Sequence, residues 1–180
     1  MGMKRIIVML SLLAVLITMS ACSSKTSYKT EEKTVTPTLN TEKSVTNSYE
    51  ALDKLPQKYS HELAEKNGDV VNIKGRSSNI EKLDKFIEDY ENKKASSGNM
   101  VRITKYTNEG DAIICDLIID GEGIKLIEDT TRDKFSSKED RKKTEYKISD
   151  ISKTKKEEGI SYIAKTDKGE EKFLFFTNNN

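Results

Sequence analysis

The feature that most constrains the fold is a two-residue period in the side-chain pattern between Met100 and Asp120. A strand points successive side chains to opposite faces of a sheet, whereas a helix needs apolar residues at intervals of three or four. The segment "DAIICDLIID" therefore has one apolar face, which consists of Ile113, Cys115, Leu117 and Ile119. The turn Asn108-Glu109-Gly110 separates this segment from "MVRITKYT". We predict a two-stranded hairpin in which Cys115 is a buried, unreactive thiol.

Short runs of the same kind continue almost to the end of the chain. The segments "IKLIED", "TEYKISDISK", "ISYIAKT" and "KFLFFT" are separated by turns, among them Glu157-Glu158-Gly159 and Asp167-Lys168-Gly169. Parallel neighbours need long crossover connections, so strands joined by short turns predict an antiparallel meander. An earlier run, "DVVNIKG", predicts another strand with Val71 and Ile73 on one face.

Two segments have helical patterns. In "SSNIEKLDKFIEDYENKK" an apolar stripe recurs at helical spacing, and it consists of Ile80, Leu83, Phe86, Ile87 and Tyr90. Ser78 and Glu81 match a capping box, and Glu81 and Lys85 are spaced for an ion pair. The segment "YSHELAEKNGD" predicts a shorter helix, capped by Ser60 and ended by Gly68. Helices and meander together predict an α+β fold, in which one or two helices pack on an antiparallel sheet.

The N-terminus has the pattern of an exported protein. A basic start precedes an apolar run from Ile6 to Met19; as a helix it spans ~21 Å, too short for a ~30 Å bilayer core but suited to a signal peptide. The small residues before Cys22 resemble the lipobox of bacterial lipoproteins, although Met19 stands where leucine is usual. In that family the cysteine carries a diacylglyceryl group and becomes the mature N-terminus. The alternative is a secretory peptide cut after Ala21 by an ordinary peptidase.

These patterns predict three parts: a signal peptide over 1–21, a lipidated, disordered linker over 22–48, and a single α+β domain over 49–177. The linker is rich in Ser, Thr, Lys and Glu, and it has too few large apolar residues to offset the entropy of ordering. Its flexible reach of ~25–30 Å keeps the domain near the membrane. We expect a protein anchored by lipid at the extracytoplasmic face of the membrane. A linker that folds on a partner is the alternative.

Charge and cysteine content restrict the partners. The chain has 31 basic and 30 acidic residues, a net charge of +1, and nucleic-acid binding needs a concentrated basic face. We therefore expect no nucleic-acid partner, and contact with the membrane through the lipid anchor. If Cys22 carries the lipid, Cys115 has no intramolecular partner, so the core must stabilise the domain without a disulfide.

Three segments carry a resemblance to a known family. The segments "ALDKLPQKYSHELAEKNGDVVNIKGRSSNIEKLDKFIEDYENKK", "VRITKYTNEGDAIICDL" and "DTTRDKF" resemble an uncharacterised family of small lipoproteins from Gram-positive bacteria. The resemblance extends from Tyr49 to about Phe176. It implies the same extracytoplasmic location as the lipobox, but no activity and no catalytic or binding residue.

The residue types give no basis for naming a reaction. His61 is the single histidine, whereas a zinc site needs three or four His, Cys or carboxylate ligands. We interpret His61 as a solvated or packed side chain. Asp116, Asp120 and Glu122 lack the spacing of a calcium loop, so they are predicted to be solvated carboxylates of a hairpin. Motifs for serine hydrolases, zinc proteases and phosphate loops do not occur. We expect no metal or other cofactor, and a protein that is not an enzyme.

The segment "DTTRDKFSSKEDRKK", residues 129–143, is the longest without a period in the domain. Loops of this length are often functional or disordered. Arg132, Asp133, Lys134 and Phe135 form a candidate contact loop, because charged groups around one apolar anchor suit a polar partner. In the alternative interpretation, Phe135 packs into the core and Arg132 pairs with a nearby acid.

Three functions are compatible with these features. The preferred interpretation is a tethered binding or regulatory module that contacts an extracytoplasmic protein or glycan. The second is an inhibitor or immunity-type lipoprotein directed against an extracellular enzyme. The third is a small wall- or glycan-active enzyme. A concave pocket with converging carboxylates would favour the enzyme, and a protruding apolar patch would favour the other two.

Overall fold

The computed structural model describes residues 49–73 and 76–179. The predicted signal peptide, the lipid site Cys22 and the linker lie outside these ranges. The described elements are α1 (His61–Asn67), β1 (Val70–Ile73), β2 (Arg76–Ser78), α2 (Ile80–Glu91), β3 (Met100–Tyr106), β4 (Ala112–Ile119), β5 (Ile124–Asp129), β6 (Lys143–Lys155), β7 (Gly159–Thr166) and β8 (Glu171–Asn178). None of the helices in the described ranges is long and apolar enough to cross a bilayer.

The strands form one sheet of order β2-β1-β3-β4-β5-β6-β7-β8. From β3 to β8 every neighbour is antiparallel and next in sequence, which confirms the predicted meander and the α+β class. The pair β1–β3 is parallel, however. The intervening β2 and α2 supply the crossover that parallel neighbours need. The short strand β2, three residues long, was not predicted from the sequence.

Helix α1 follows its predicted capping. The Ser60 hydroxyl accepts a hydrogen bond from the Leu63 N–H at 3.4 Å, and the helix ends at Gly68 with a φ of 87°. Glycine adopts this left-handed conformation without the steric penalty of a Cβ.

Helix α2 begins differently from its prediction. Ser78 ends β2, and Asn79 occupies the N-cap position with a φ of 57° and no capping hydrogen bond from its side chain. The predicted capping box is therefore wrong. The Asn79 amide instead donates to the carbonyls of Glu65 and Asp69, at 3.1 and 2.8 Å, and so ties the start of α2 to the end of α1.

The predicted ion pair on α2 is also different. Lys85 pairs with Asp89 at 2.7 Å and not with Glu81. Glu81 and Asp89 both lie four residues from Lys85, and Lys85 contacts the one nearer the C-terminal end of the helix.

The sheet curls until its two ends approach each other. The Ser77 hydroxyl of β2 donates to the Thr177 hydroxyl of β8 at 2.9 Å, and the Lys105 ammonium of β3 donates to the Phe173 carbonyl at 3.1 Å. The inner face of this curl holds the larger core, which includes residues from seven strands and from α2. Leu83, Phe86 and Ile87 of the predicted helical stripe are buried there.

Cys115 lies in this inner core, as predicted. It is 1% exposed, and burial raises the pKa of its thiol to about 11. The thiol therefore stays protonated near neutral pH, and the thiolate needed for reaction is scarce.

The opposite, outer face of β1, β3 and β4 is covered by a second layer. This layer consists of α1 and the segment before it, and Leu52, Leu55 and Tyr59 pack there against Val71 and Ile114. The central strands are therefore buried on both faces.

The prediction that Asp116 is a solvated carboxylate was wrong, because the outer face of β4 is covered. Asp116 is 3% exposed rather than solvated. Its two carboxylate oxygens accept from Arg102 Nε and Nη2 at 2.7 and 2.9 Å. The Tyr49 ring lies 5.1 Å from the Arg102 guanidinium. A charge can be buried at this position because a bidentate partner compensates for the lost hydration.

Candidate functional site

A crevice opens where the parallel strands β1 and β3 part. They pair only at Val70–Ile103 and Val71–Thr104. Beyond this point β1 turns back through β2, while β3 continues to Tyr106 and turns into β4. Diverging carboxyl ends of parallel strands leave a crevice beside the sheet, and ligand sites recur at such places in parallel sheets.

The opening has a volume of about 650 Å³, which is in the range of small-ligand pockets. We call it the β1–β3 cleft. It is lined by residues 57–61, 72–73, 106–108, 110–111 and 134. These residues come from the start of α1, the end of β1, the β3–β4 turn and the predicted contact loop.

His61 forms part of the wall of this cleft. Its Nε2 lies 3.0 Å from Glu62 Oε1, and hydrogen bonds from the Glu62 backbone and from Ser60 lower the pKa of that carboxyl. A carboxylate only accepts hydrogen bonds, so Nε2 is the donor in this contact. Nδ1 is buried and has no hydrogen-bond partner among the described residues.

Tyr106 stands beside His61 in the same wall. The two rings meet edge to face, with 6.3 Å between their centroids and an angle of 86°. The Tyr106 hydroxyl is also buried without a hydrogen-bond partner in the described part of the chain. Burial, and next the negative charge of Asp69, raise the pKa of this hydroxyl. It therefore keeps its proton and can donate a hydrogen bond.

A buried carboxylate lies behind the cleft wall. Asp69 is fully buried, and its Oδ2 accepts from the hydroxyls of Tyr59 and Thr104 at 2.9 and 2.6 Å. Its Oδ1 has no partner among the described residues. Burial raises the pKa of Asp69 to about 6. Tyr59 joins this carboxylate to the cleft, because its ring lines the cleft and its hydroxyl binds Asp69.

The rim of the cleft is positively charged. Lys58 and Lys134 line it, and Asp111 is the one carboxylate among the described lining residues. Asp111 Oδ2 accepts from the Lys134 backbone N–H at 2.9 Å, and the Lys134 ammonium lies 3.8 Å from Oδ1. Lys58 forms no ion pair with another described residue. The rim thus has one cation more than it has anions.

The predicted contact loop, residues 132–135, lies beside this rim in the connection from β5 to β6, which spans residues 130–142. Arg132 lies inside it and is only 4% exposed. Its guanidinium pairs with Asp129 at 2.8 Å and donates to the carbonyls of Leu52, Leu55 and Pro56 at 2.8 to 3.2 Å. Arg132 therefore holds the segment before α1 in place and has no surface to offer a partner. The contact with Asp129 agrees with the alternative interpretation, in which Arg132 pairs with a nearby acid.

The other loop residues lie at the surface. Phe135 is 73% exposed and does not pack into the core. The Asp133 carboxylate accepts from the backbone N–H groups of Phe135 and Ser136 at 3.0 and 3.1 Å, and Arg141 donates to the Ser136 carbonyl at 2.8 Å. The loop is braced by its own side chains, so Phe135 stands on an ordered support next to Lys134 of the cleft.

Sequence reasoning did not find the cleft. His61 and Tyr106 are far apart in the chain, and no spacing rule connects them. The one available signal was an aromatic residue at the carboxyl end of a strand before a turn, which is too common to be informative. In the described ranges no group of three or more His, Cys, Asp or Glu residues is placed to hold a metal ion.

The fold and the cleft define an α+β domain with a curled sheet and a crevice at a parallel strand pair. Comparison with known families matches residues 66–163 to the family described as a domain of unknown function, DUF4362. The match covers more than half of the 180 residues, so the chain belongs to this family. This confirms the resemblance to a family of unknown function, whereas the lipoprotein character stays a prediction. No curated protein and no solved structure matches the chain significantly.

Proposed function

We propose that the protein is a lipid-anchored binding module of the extracytoplasmic membrane face, and that it holds its ligand in the β1–β3 cleft. The observation that carries this proposal is the cleft of about 650 Å³ where β1 and β3 part, with Tyr59, Tyr106 and Ile73 in its wall and Lys58 and Lys134 at its rim. Pockets for small molecules combine such aromatic and aliphatic surfaces with a few polar groups that fix the orientation of the ligand.

The lining supports binding rather than catalysis. Asp111, the carboxylate among the described lining residues, already accepts a hydrogen bond from the Lys134 backbone. Asp69 lies behind Tyr59 and does not line the cleft. No second carboxylate lines the described part of the cleft, so the paired-carboxylate chemistry of glycosidases is not favoured. The arrangement is suited to orienting a polar ligand.

The anchor is proposed from the sequence. The apolar run before Cys22 and the small residues next to it support lipidation of that cysteine. A lipid chain contributes ~0.8 kcal/mol per buried methylene, so two or three chains hold the domain durably. The linker then confines the cleft to the neighbourhood of the membrane, where an extracytoplasmic protein or glycan is the partner. Nucleic acid is not proposed as a partner.

The anchor and the cleft are tested separately in cells that express the full chain. The variant Cys22→Ser should abolish incorporation of a labelled fatty acid and leave uncleaved precursor. Unchanged labelling would refute the anchor.

The cleft is tested with a photo-crosslinking amino acid at Asn108, on the β3–β4 turn. The same group at Lys168, on the exposed β7–β8 turn, is the control. We expect a crosslinked species from Asn108 only. Equal products from both sites, or none from Asn108, would contradict ligand binding in the cleft.

A second candidate function is favoured by Phe135. An apolar side chain that is 73% exposed on a braced loop is a suitable anchor for an inhibitor that docks on an extracellular enzyme. Phe135→Ala should abolish co-purification of such an enzyme with the full chain. Phe173→Ala, which removes another exposed phenylalanine (53%) from β8, should leave it unchanged. Equal recovery with both variants would exclude the loop as the docking site.

A further inference from the structure

We propose that the loop around Phe135 inserts into the phospholipid surface of the membrane that holds the lipid anchor. In this arrangement the Phe135 ring lies at the boundary between headgroups and acyl chains, and the neighbouring lysine ammonium groups lie among the headgroup phosphates. The proposal rests on the proposed anchor, and adds a second contact between the protein and the membrane.

The loop presents Phe135 on an ordered support. Phe135 is the most exposed large apolar side chain in the described ranges, at 73%. The Asp133 carboxylate accepts from the N–H groups of Phe135 and Ser136 at 3.0 and 3.1 Å. Arg141 Nη2 donates to the Ser136 carbonyl at 2.8 Å. Because these bonds already fix the turn, little further entropy is lost when the ring meets a partner.

The loop lies on the side of the domain where the linker enters. The described part of the domain begins at Tyr49, and close after it the Leu52 carbonyl accepts from Arg132 of the loop at 2.8 Å. The Pro56 carbonyl accepts from the same guanidinium at 3.2 Å. The linker therefore does not have to pass around the domain for Phe135 to reach the surface that holds the anchor.

Lysines surround Phe135 on this side of the domain. Apart from the buried Arg132, the segments 50–58 and 130–142 contain six basic and five acidic residues, so negatively charged headgroups do not repel this surface. Lysine suits such a boundary, because its methylene stem can lie along apolar surface while its ammonium group stays among polar groups. The exposed lysines of the two segments are Lys54, Lys58, Lys134, Lys138 and Lys142.

The surroundings of Phe135 favour a bilayer over a protein as the partner. Phe135 is the one large apolar residue of the connection over 130–142, whereas a protein interface buries roughly 800 Å² on each partner around an apolar centre. A fluid bilayer adapts its shape to a single ring, and phenylalanine is typical of side chains at the headgroup boundary. The anchor also makes the contact intramolecular, so a weak contact is sufficient.

The test uses the absence of tryptophan from the chain. Phe135→Trp introduces a single tryptophan, so its fluorescence reports on the loop alone. The protein is purified from membranes of cells that express the full chain, and is reconstituted into phosphatidylglycerol vesicles with or without bromine on the acyl chains. Bromine quenches tryptophan only at short range. We expect weaker emission in the brominated vesicles than in the ordinary ones.

Tyr90→Trp is the matched control. Tyr90 is also exposed (39%), but it borders Ile119 at the end of β4, whereas Lys134 of the loop contacts Asp111 just before β4. The eight residues of β4 separate these two places by ~26 Å. Bromine should therefore leave the emission of Tyr90→Trp unchanged. Melting curves check that both variants are folded. Equal quenching of both variants, or none of Phe135→Trp, overturns the proposal.

Vesicle flotation separates failure here from failure of the proposed anchor. If the Phe135→Trp protein floats with the vesicles and is not quenched, the anchor holds and only the loop contact is wrong. If the protein does not float, both are wrong. If quenching is absent while Phe135→Ala abolishes co-purification of an enzyme, the loop docks on a protein and not on the membrane.

Discussion

At the scale of single residues, the outer face of the sheet is held by buried charges. Arg102 pairs with Asp116, and Arg132 pairs with Asp129. Asp69 has hydroxyl donors but no cation within salt-bridge distance in the described part of the chain. Arg102 offsets only part of the desolvation of Asp116, because burial still raises the pKa of that carboxyl. Asp69 has no such partner, so its ionised form is destabilised in the folded state.

The protonation of Asp69 couples stability to pH. Its pKa rises from 3.8 to about 6 on folding, which corresponds to ~3 kcal/mol. This stability is fully present below the unfolded pKa and is lost as the pH rises through about 6. Lowering the pH from about 7.5 to about 5 should therefore restore roughly half of it. Urea unfolding of the wild type and of Asp69→Asn across this range measures the difference. Parallel pH profiles would show that Asp69 is not the titrating group.

Arg132 provides the second prediction at this scale. Arg132→Ala leaves the buried Asp129 carboxylate without its cation and three carbonyls without a donor, so we expect a loss of ~3–5 kcal/mol in the free energy of unfolding. Arg76→Ala is the control, because the Arg76–Glu65 pair at 2.6 Å is largely exposed on the arginine side (62%). It should lose at most about 1 kcal/mol. Equal losses in urea unfolding would mean that the Arg132 pair does not hold the N-terminal segment.

At the scale of elements, local patterns were reliable and junctions were not. The alternation in β4 correctly predicted that Cys115, Leu117 and Ile119 are buried, because this pattern arises from the geometry of one element. The stripe on α2 likewise predicted the burial of Leu83, Phe86 and Ile87. The other face of β4 is buried as well, through Ile114 and Asp116, and Tyr90 at the end of the stripe is 39% exposed. The predicted capping of α2 was wrong because Asn79 occupies the N-cap position, where its side-chain amide donates to the carbonyls of Glu65 and Asp69. Such partners belong to other elements, so no local rule contains them.

The contact loop gives a prediction at the same scale. Since Phe135 is 73% exposed, Phe135→Ala should change the free energy of unfolding by no more than ~0.5 kcal/mol. Phe175→Ala is the comparison, because Phe175 on β8 is 1% exposed and its loss should destabilise by ~3–5 kcal/mol. Chemical denaturation of both variants gives the answer. A large loss in the free energy of unfolding for Phe135→Ala would mean that the side chain packs in the core.

At the scale of the whole molecule, the folding unit is larger than the matched family segment. Residues 66–163 end within β7. The inner core also needs Leu174 and Phe175 of β8, and the outer layer needs Leu52, Leu55 and Tyr59. Both faces of the sheet are therefore completed by residues outside the match.

Truncation tests this unit and the predicted start of the domain. A chain that begins at residue 49 should unfold cooperatively in urea. A chain that begins at residue 60 loses three buried apolar side chains, worth ~1.5–3 kcal/mol each, and the carbonyl partners of Arg132. That sum is comparable with the ~5–15 kcal/mol by which domains are stable. We expect no cooperative transition for the shorter chain. If it folds as the longer one does, the segment before α1 is not part of the unit.

The sequence alone determined the α+β class, the meander from β3 to β8 and the burial of Cys115, because these follow from periodicity and turn residues within short stretches. Only the tertiary structure decided the rest. The parallel pair β1–β3, the second layer over Arg102 and Asp116, and the cleft that joins His61 to Tyr106 all depend on contacts between distant parts of the chain. Their energy comes from burial and charge pairing across elements, and a single sequence carries no local signal of which partners will meet.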